Sequence, residues 1–239
     1  MKILSVDTSA NVATVAICED DRLICEQMTN TKKTHSQTLM PMIDNVLNQA
    51  EMDISDIDLI AVANGPGSFT GLRIGVSTVK GIAGALNIPV VGVSTLEGMA
   101  YNLAYSSHLI CPIMDARREQ VYNAVYEWEN EELRELKEPR ALGLSELLDE
   151  LLHCDKKAVF LGDGVPVHKE KIADVLGDRA VFAPSCASLQ RASALCDIAK
   201  IRYSEGKAVK GLELETVYLR KPQAEREAEE RERMKKEQC

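Results

Sequence analysis

Two short stretches of this chain combine residue types that bind phosphate groups in proteins. NGPGSFTGLRIG, residues 64–75, carries four glycines between a strand-like run and a helix-like run, and Asp7-Thr8-Ser9 ends the first apolar strand. Backbone amides at the start of a helix attract anions through their geometry and the helix dipole. A third turn, Gly162-Asp163-Gly164, follows a later strand. These stretches predict a candidate nucleotide or anion site at Asp7, Gly67, Ser68 and Asp163.

Plain turn chemistry is the competing interpretation of the same stretches. No GxxxxGK[ST] motif is present: Arg73 stands one turn into the helix, and the lysine of a Walker motif is missing. Asp and Ser favour turns in any case, because their side chains bond the nearby backbone. A carboxylate between two glycines, as at Asp163, is equally well explained as a turn.

The helix predicted after the glycine-rich stretch, residues 71–87, has an apolar face and beside it a face of small residues. Glycine inside a helix costs about 1 kcal/mol relative to alanine, so the small face indicates that another element comes very close. The helix predicted at 36–51 is apolar over a broader arc than the ~100° stripe of a one-sided surface helix. Together the two helices predict an exposed surface for a partner, with burial inside the same chain as the alternative.

Catalytic and metal-binding patterns are missing from the sequence. The four histidines form neither HxxxH nor HExxH, so no metal site is predicted. His35 and Ser36 point apart as chain neighbours, and Ser36 is better explained as a helix cap. The seven cysteines include no CxxC pair, which favours reduced thiols. No catalytic residue is predicted.

The composition is typical of a globular protein of the cytoplasm. The chain has 239 residues, 45% of them hydrophobic and 27% charged, with 28 basic and 37 acidic side chains and a net charge of −9. Binding to nucleic acid through phosphate groups needs a basic excess, which this chain lacks. No signal peptide is recognisable, and no apolar run approaches the ~20 residues of a membrane span, so no membrane contact is expected.

The order of predicted elements repeats once along the chain. Three strands, a helix, a strand, a helix, a strand and a helix occur before residue 107, and the same series follows. This duplication predicts an α/β protein of the ASKHA (actin-like ATPase, RNase H-like) fold with two βββαβα-type lobes. The expected domains are an N-terminal lobe at 1–107, a C-terminal lobe at 108–222 whose helix 189–205 packs back on the first lobe, and a charged tail at 223–239.

Four motifs resemble the TsaB (YeaZ) family of bacterial tRNA threonylcarbamoyladenosine biosynthesis. They are ILSVDTSANVATVAI, HSQTLMPMID, AVANGPGSFTGLRIGVSTVKGIA and VVGVSTLEGMA, and the match covers about residues 1–128. The resemblance implies an ASKHA subunit without catalysis of its own, which pairs with the related catalytic subunit TsaD and with the ATPase TsaE. These proteins place threonylcarbamoyl on N6 of adenosine 37 in tRNA.

The resemblance also implies where the partner binds. In the family the first two helices of the N-terminal lobe pack against their counterparts in TsaD, or in a second copy of the chain when TsaD is absent. Carried over, the partner-binding residues are Leu39, Met40, Ile43, Val46, Gly71, Gly75 and Thr78. On this interpretation Gly75→Leu leaves the lobe folded and abolishes pairing with TsaD.

For cofactors, the resemblance implies none held tightly by this chain, with ATP or ADP and Mg²⁺ bound at the level of the complex. It also implies contact with tRNA only within that complex. Two alternatives stay open. The first is an ATP-dependent phosphotransferase of the actin-like class, using Asp7 and the turn at Asp163; the second is a peptidase, against which the missing metal motif and nucleophile–base pair argue.

Overall fold

The first half of the chain follows the predicted order of elements. A computed structural model describes residues 1–220; the charged tail predicted at 223–239 lies outside the described residues. The elements of this half are β1 (Lys2–Asp7), β2 (Ala13–Glu19), β3 (Arg22–Thr29), α1 (His35–Gln49), β4 (Leu59–Gly65), α2 (Phe69–Leu86), β5 (Pro89–Ser94) and α3 (Thr95–Tyr101).

The second half repeats this series, and a short strand follows it. Its elements are β6 (Leu109–Asp115), β7 (Gln120–Glu129), β8 (Glu132–Gly143), α4 (Leu144–Leu152), β9 (Ala158–Leu161), α5 (Val165–Leu176), β10 (Ala180–Phe182) and α6 (Ala192–Ser204). The added strand is β11 (Val209–Lys210), which the sequence patterns did not predict.

Each half of the chain forms its own sheet, and the two sheets share the order of their main strands. Over residues 1–220 the strand orders are β11-β5-β4-β1-β2-β3 and β10-β9-β6-β7-β8. In each sheet the first three strands form an antiparallel meander, and the next strand along the chain pairs in parallel with the first. The shared strand order, with helices as crossovers between parallel strands, confirms the prediction of the ASKHA fold.

The first sheet is buried on both faces. Side chains alternate between the faces along a strand, so Leu4 and Val6 of β1 pack in the core under α1 and α2, whereas Ile3 packs with Leu195 and Ile198 of α6. Helix α6 ends the second series of elements and lies against β1 and β2 of the first sheet. The first sheet is thus a middle layer between two layers of helices.

Helix α6 begins at Ala192, three residues later than the sequence predicted, and the side chain of its N-cap residue, Arg191, does not cap it. Glu26 of β3 supplies the cap: its Oε1 accepts hydrogen bonds from Ser193 N at 3.0 Å and Ser193 Oγ at 2.9 Å. Sequence rules for caps search the residues next to the helix. They cannot detect an acceptor that comes from a distant strand.

Candidate functional site on the α1 and α2 side

The glycine-rich stretch joins β4 to α2 and is bonded to the turn after β1. Ser68 is the N-cap of α2, and its Oγ accepts a hydrogen bond from Gly71 N at 3.3 Å. Ser68 N in turn donates to the carbonyl oxygen of Ser9 at 2.6 Å. Two of the amides that a phosphate group would use therefore already have partners within the chain.

The glycines of this stretch are needed because other parts of the same chain come very close. A β-carbon on Gly67 would lie 2.3 Å from the Ser9 carbonyl oxygen, and one on Gly71 would lie 2.1 Å from that of Thr8. On Gly75 it would lie 2.4 Å from Thr8 Oγ1, which is fixed by a 2.7 Å hydrogen bond to the Gly71 carbonyl oxygen. All of these distances are too short for any side chain.

This packing corrects part of the predicted partner-binding set. Gly71 and Gly75 are buried against Thr8, so they do not lie on a free surface. The Gly75→Leu substitution would force Thr8 out of place, and it does not test an interface. Thr78, the third predicted residue on α2, is half-buried and reaches the surface.

The predicted residues on α1 divide in the same way. Leu39, Ile43 and Val46 point into the core between α1, α2 and the first sheet, whereas Met40 is 53% exposed. Burying a large aliphatic side chain stabilises a protein by about 1.5–3 kcal/mol, so the three core residues are not available to a partner. The broad apolar arc of this helix reflects packing within the chain.

The side of α2 turned to solvent is almost free of charge. We define the α2 outer face as two rows at four-residue spacing: the exposed Ser77, Gly81 and Ala85, and the half-buried Ile74, Thr78 and Ile82. A β-carbon on Gly81 would meet nothing within 4 Å. The close approach that explains Gly71 and Gly75 is therefore missing at Gly81.

The two charged residues of α2 are both held by the C-terminal segment. Arg73 Nε donates to Tyr218 Oη at 3.4 Å, and its guanidinium lies 3.8 Å from the centre of the Phe69 ring. Lys80 Nζ donates to the Leu212 carbonyl oxygen at 3.4 Å. The α2 outer face consequently presents small and aliphatic side chains.

A cleft of about 630 Å³ lies between the two halves, beside the start of α2. Its lining comes from both halves and from the C-terminal segment, and it includes Ser9, Gly67, Ser68, Asp115, Asp163 and Arg220. Three of the four residues predicted for a nucleotide or anion line this cleft. Asp7 does not, because it is 1% exposed and lies behind the turn that it caps.

Burial changes the protonation of two carboxyl groups here. It raises the pKa of Asp7 to about 6, against the opposing hydrogen bonds from Ser9, whose amide donates to Asp7 Oδ1 at 2.8 Å. Burial also raises the pKa of Asp163 to about 6, a shift opposed by the 3.3 Å hydrogen bond from Asp115 N. Asp7, one of the two acids that the phosphotransferase alternative needs, thus lies inside the protein. Its position gives that alternative no support.

The described residues limit what else this region can do. Between residues 1 and 220, no three His, Cys, Asp or Glu side chains come together as a metal site would need. No helix in that range is long and apolar enough to span a bilayer. Burial raises the pKa of the Cys111 thiol to about 12, which makes it a poor nucleophile.

The C-terminal segment 209–220 is the part of this region that the sequence patterns missed. Its apolar residues do not continue one helix or strand period through the segment, which is mostly without regular structure; they are Val209, Leu212, Leu214, Val217, Tyr218 and Leu219. Leu214 nevertheless enters the first core at 4% exposure. The group of apolar residues after the last predicted helix is the signal that could have drawn attention to it.

Comparison with known proteins gives consistent matches along the chain. Residues 24–230 match the protein-family model for TsaD, described as tRNA N6-adenosine threonylcarbamoyltransferase. The tRNA threonylcarbamoyladenosine biosynthesis protein TsaB of Bacillus subtilis (strain 168) is 38% identical over 225 residues, covering 94% of this chain and 96% of that protein. TsaB of Escherichia coli (strain K12) is 30% identical over 226 residues, covering 92% and 95%.

A solved structure shows that the likeness extends to three dimensions. YeaZ from Pseudomonas aeruginosa superposes with a TM-score of 0.75 at 28% identity, and the match covers 91% of this chain and 99% of that one. Because the superposition covers nearly all of both chains, the similarity includes both sheets.

Proposed function

Because this chain belongs to the TsaB family of tRNA threonylcarbamoyladenosine biosynthesis proteins, we propose that it is the non-catalytic subunit that pairs with TsaD and activates it. The match of the TsaD family model to residues 24–230 supports a common fold for the two partners. Partners of one fold can pair through equivalent helices in a pseudo-twofold arrangement.

The α2 outer face is the observation that carries this proposal. Gly81 lies in the middle of an 18-residue helix, where glycine costs about 1 kcal/mol relative to alanine. Nothing in the described part of the chain occupies the space above it. Small side chains let a second helix approach closely, and Ile74, Ile82 and the exposed Met40 supply apolar area around the contact.

The remaining parts of the proposal follow from this pairing. A TsaE-like ATPase joins the pair, ATP or ADP with Mg²⁺ binds at the level of the complex, and two copies of this chain pair through the same face when TsaD is absent. A net charge of −9 gives the chain no electrostatic attraction for tRNA. We therefore assign tRNA binding to the complex.

Gly81→Arg tests the proposal. Arginine at this position places an unpaired charge in the contact, and we expect at least about a 30-fold weaker binding to TsaD, since burying an unpaired charge costs about 2–5 kcal/mol or more. The measurements are co-purification with TsaD and threonylcarbamoylation of tRNA reconstituted with TsaD and TsaE. Modification should fall to the level seen without this subunit.

Gly143→Arg is the matched control, because a β-carbon there also meets nothing within 4 Å and the residue lies in the second half. It should bind TsaD as the wild type does. Gly81→Arg should fold normally, since arginine is the better helix former. If Gly81→Arg still binds TsaD at wild-type strength, the proposed surface is wrong.

A further inference from the structure

Residues 209–220, here called the strap, are attached to the first half beside the glycine-rich stretch. Strand β11 pairs with β5, and Val217 N donates to the Asn64 carbonyl oxygen at 2.8 Å. Asn64 Nδ2 donates back to the Glu215 carbonyl oxygen at 3.0 Å. The side chain of Leu214, buried in the first core, fixes the strap between these points.

The glycine-rich stretch is shaped to receive the strap. Gly65 has a φ of +131°, which side-chain-bearing residues rarely adopt, and a β-carbon there would lie 2.1 Å from the Val217 carbonyl oxygen. On the strap itself, a β-carbon on Gly211 would lie 2.9 Å from the β-carbon of Ala83 in α2. Glycines thus allow close approach at two separate points, Gly65 against Val217 of the strap and Gly211 of the strap against α2.

The far end of the strap crosses to the second half. The Tyr218 ring lies 4.8 Å from the Phe69 ring, and its hydroxyl oxygen accepts the hydrogen bond from Arg73. Arg220 Nη1 donates to the Ala116 carbonyl oxygen at 2.6 Å, in the loop between β6 and β7. Residues 217–220 thereby form part of the cleft lining.

The two ends of the strap are buried to different extents: Gly211 and Leu214 are buried, whereas none of residues 215–220 is. Leu214 is 4% exposed, whereas Val217 and Tyr218 are 45% and 40% exposed. The chain also passes between the halves at residues 102–108 and 183–191, and neither passage contributes to the cleft lining. The strap therefore joins the halves at the cleft, apart from these two passages, and it does so through its more exposed end.

We propose that the strap is a latch. Residues 209–215 stay fixed on the first half, while residues 217–220 detach and reattach as a unit. Tyr218 attaches this end to α2 of the first half and Arg220 attaches it to the second half, so that together they hold the two halves at the cleft. Detachment frees the loop between β6 and β7 and opens the cleft to larger molecules.

Tyr218→Ala tests the latch in the full chain, with hydrogen exchange followed by mass spectrometry. Peptides containing Val217 and peptides covering 116–120 should exchange at least about threefold faster, because local opening becomes easier. Peptides from β1 and β4 should keep their wild-type rates. Tyr203→Ala is the matched control, since this tyrosine of α6 is 44% exposed and lies outside the strap.

Arg220→Ala removes the contact of the strap with the second half. It should speed exchange at 116–120 and, because residues 217–220 detach as a unit, at the amide of Val217 as well. The latch is wrong if Tyr218→Ala leaves the exchange of Val217 and of 116–120 unchanged. It is also wrong if β1 and β4 accelerate equally, because the strap is then an inseparable part of the first core.

Discussion

Two glycines of α2, Gly71 and Gly81, have opposite surroundings. Gly71 lies against the backbone of Thr8, and Gly81 faces open space. The sequence shows both as small residues on one side of a helix, and from that pattern it predicted a single role for them. Their different roles depend on which other segment passes nearby, and a helical wheel contains no information about that.

A pair of alanine substitutions measures this difference. Gly71→Ala should lower the free energy of unfolding by about 1–3 kcal/mol, because the new β-carbon forces a backbone carbonyl to move. Gly81→Ala should raise it by about 0.5–1 kcal/mol, because alanine is the better helix former and nothing obstructs it. Urea denaturation of the two variants provides the measurement, and equal effects would contradict the assignment of neighbours.

Individual elements were predicted well where the signal is local. Helices α1 and α2 begin within two residues of their predicted starts at 36 and 71. Helix α6 is different, because its first turn is held by Glu26 of β3, which also bonds Arg191. Its boundary was mispredicted for the same reason that its cap was missed.

Glu26→Ala should weaken the attachment of α6 to the first sheet. The Glu26 side chain is 8% exposed, and its removal leaves Ser193 N without its acceptor and Arg191 without its ion pair. We expect a loss of about 2–3 kcal/mol in the free energy of unfolding, measured by urea denaturation. As control, Glu129→Ala breaks the exposed ion pair with Arg134 and should cause no measurable change. Equal losses in both variants would refute the special role of Glu26.

At the scale of the whole molecule, each half has one carboxyl group of raised pKa near the cleft, fully buried at Asp7 and half-buried at Asp163. Asp7 follows β1, and Asp163 follows β9, the parallel neighbour of β6 in the second sheet. Both have pKa values raised to about 6 by burial, above the unfolded value near 3.9. Between these values the folded protein binds more protons than the unfolded chain. The contribution of these groups to the free energy of unfolding is therefore fully present below about pH 4, and it is lost as the pH rises to about 6.

Asp7→Asn isolates the contribution of one half. Asparagine still accepts the hydrogen bond from Ser9 N and carries no charge, so the variant should match the wild type at pH 4 and exceed it by about 2–3 kcal/mol at pH 7. Thermal or urea unfolding across pH 4–7 provides the measurement. Asp44→Asn, at an exposed position of α1, should follow the wild type throughout. A constant difference between Asp7→Asn and wild type across this range would contradict the buried titration.

The sequence by itself determined the order of strands and helices up to α6, and with it the fold, while the resemblance of its motifs indicated the family. These properties depend on local periodicity and on motifs, which can be read without knowing distant contacts. Only the tertiary structure decided that Leu39, Ile43 and Val46 are core residues, that Gly71 and Gly75 are packed against Thr8, and that the strap crosses the cleft. An apolar or small residue indicates that another part of the protein covers it. Which segment covers it depends on contacts between residues far apart in the chain. NGPGSFTGLRIG therefore has the composition of a phosphate site, but in the structure it packs against other segments of the same chain.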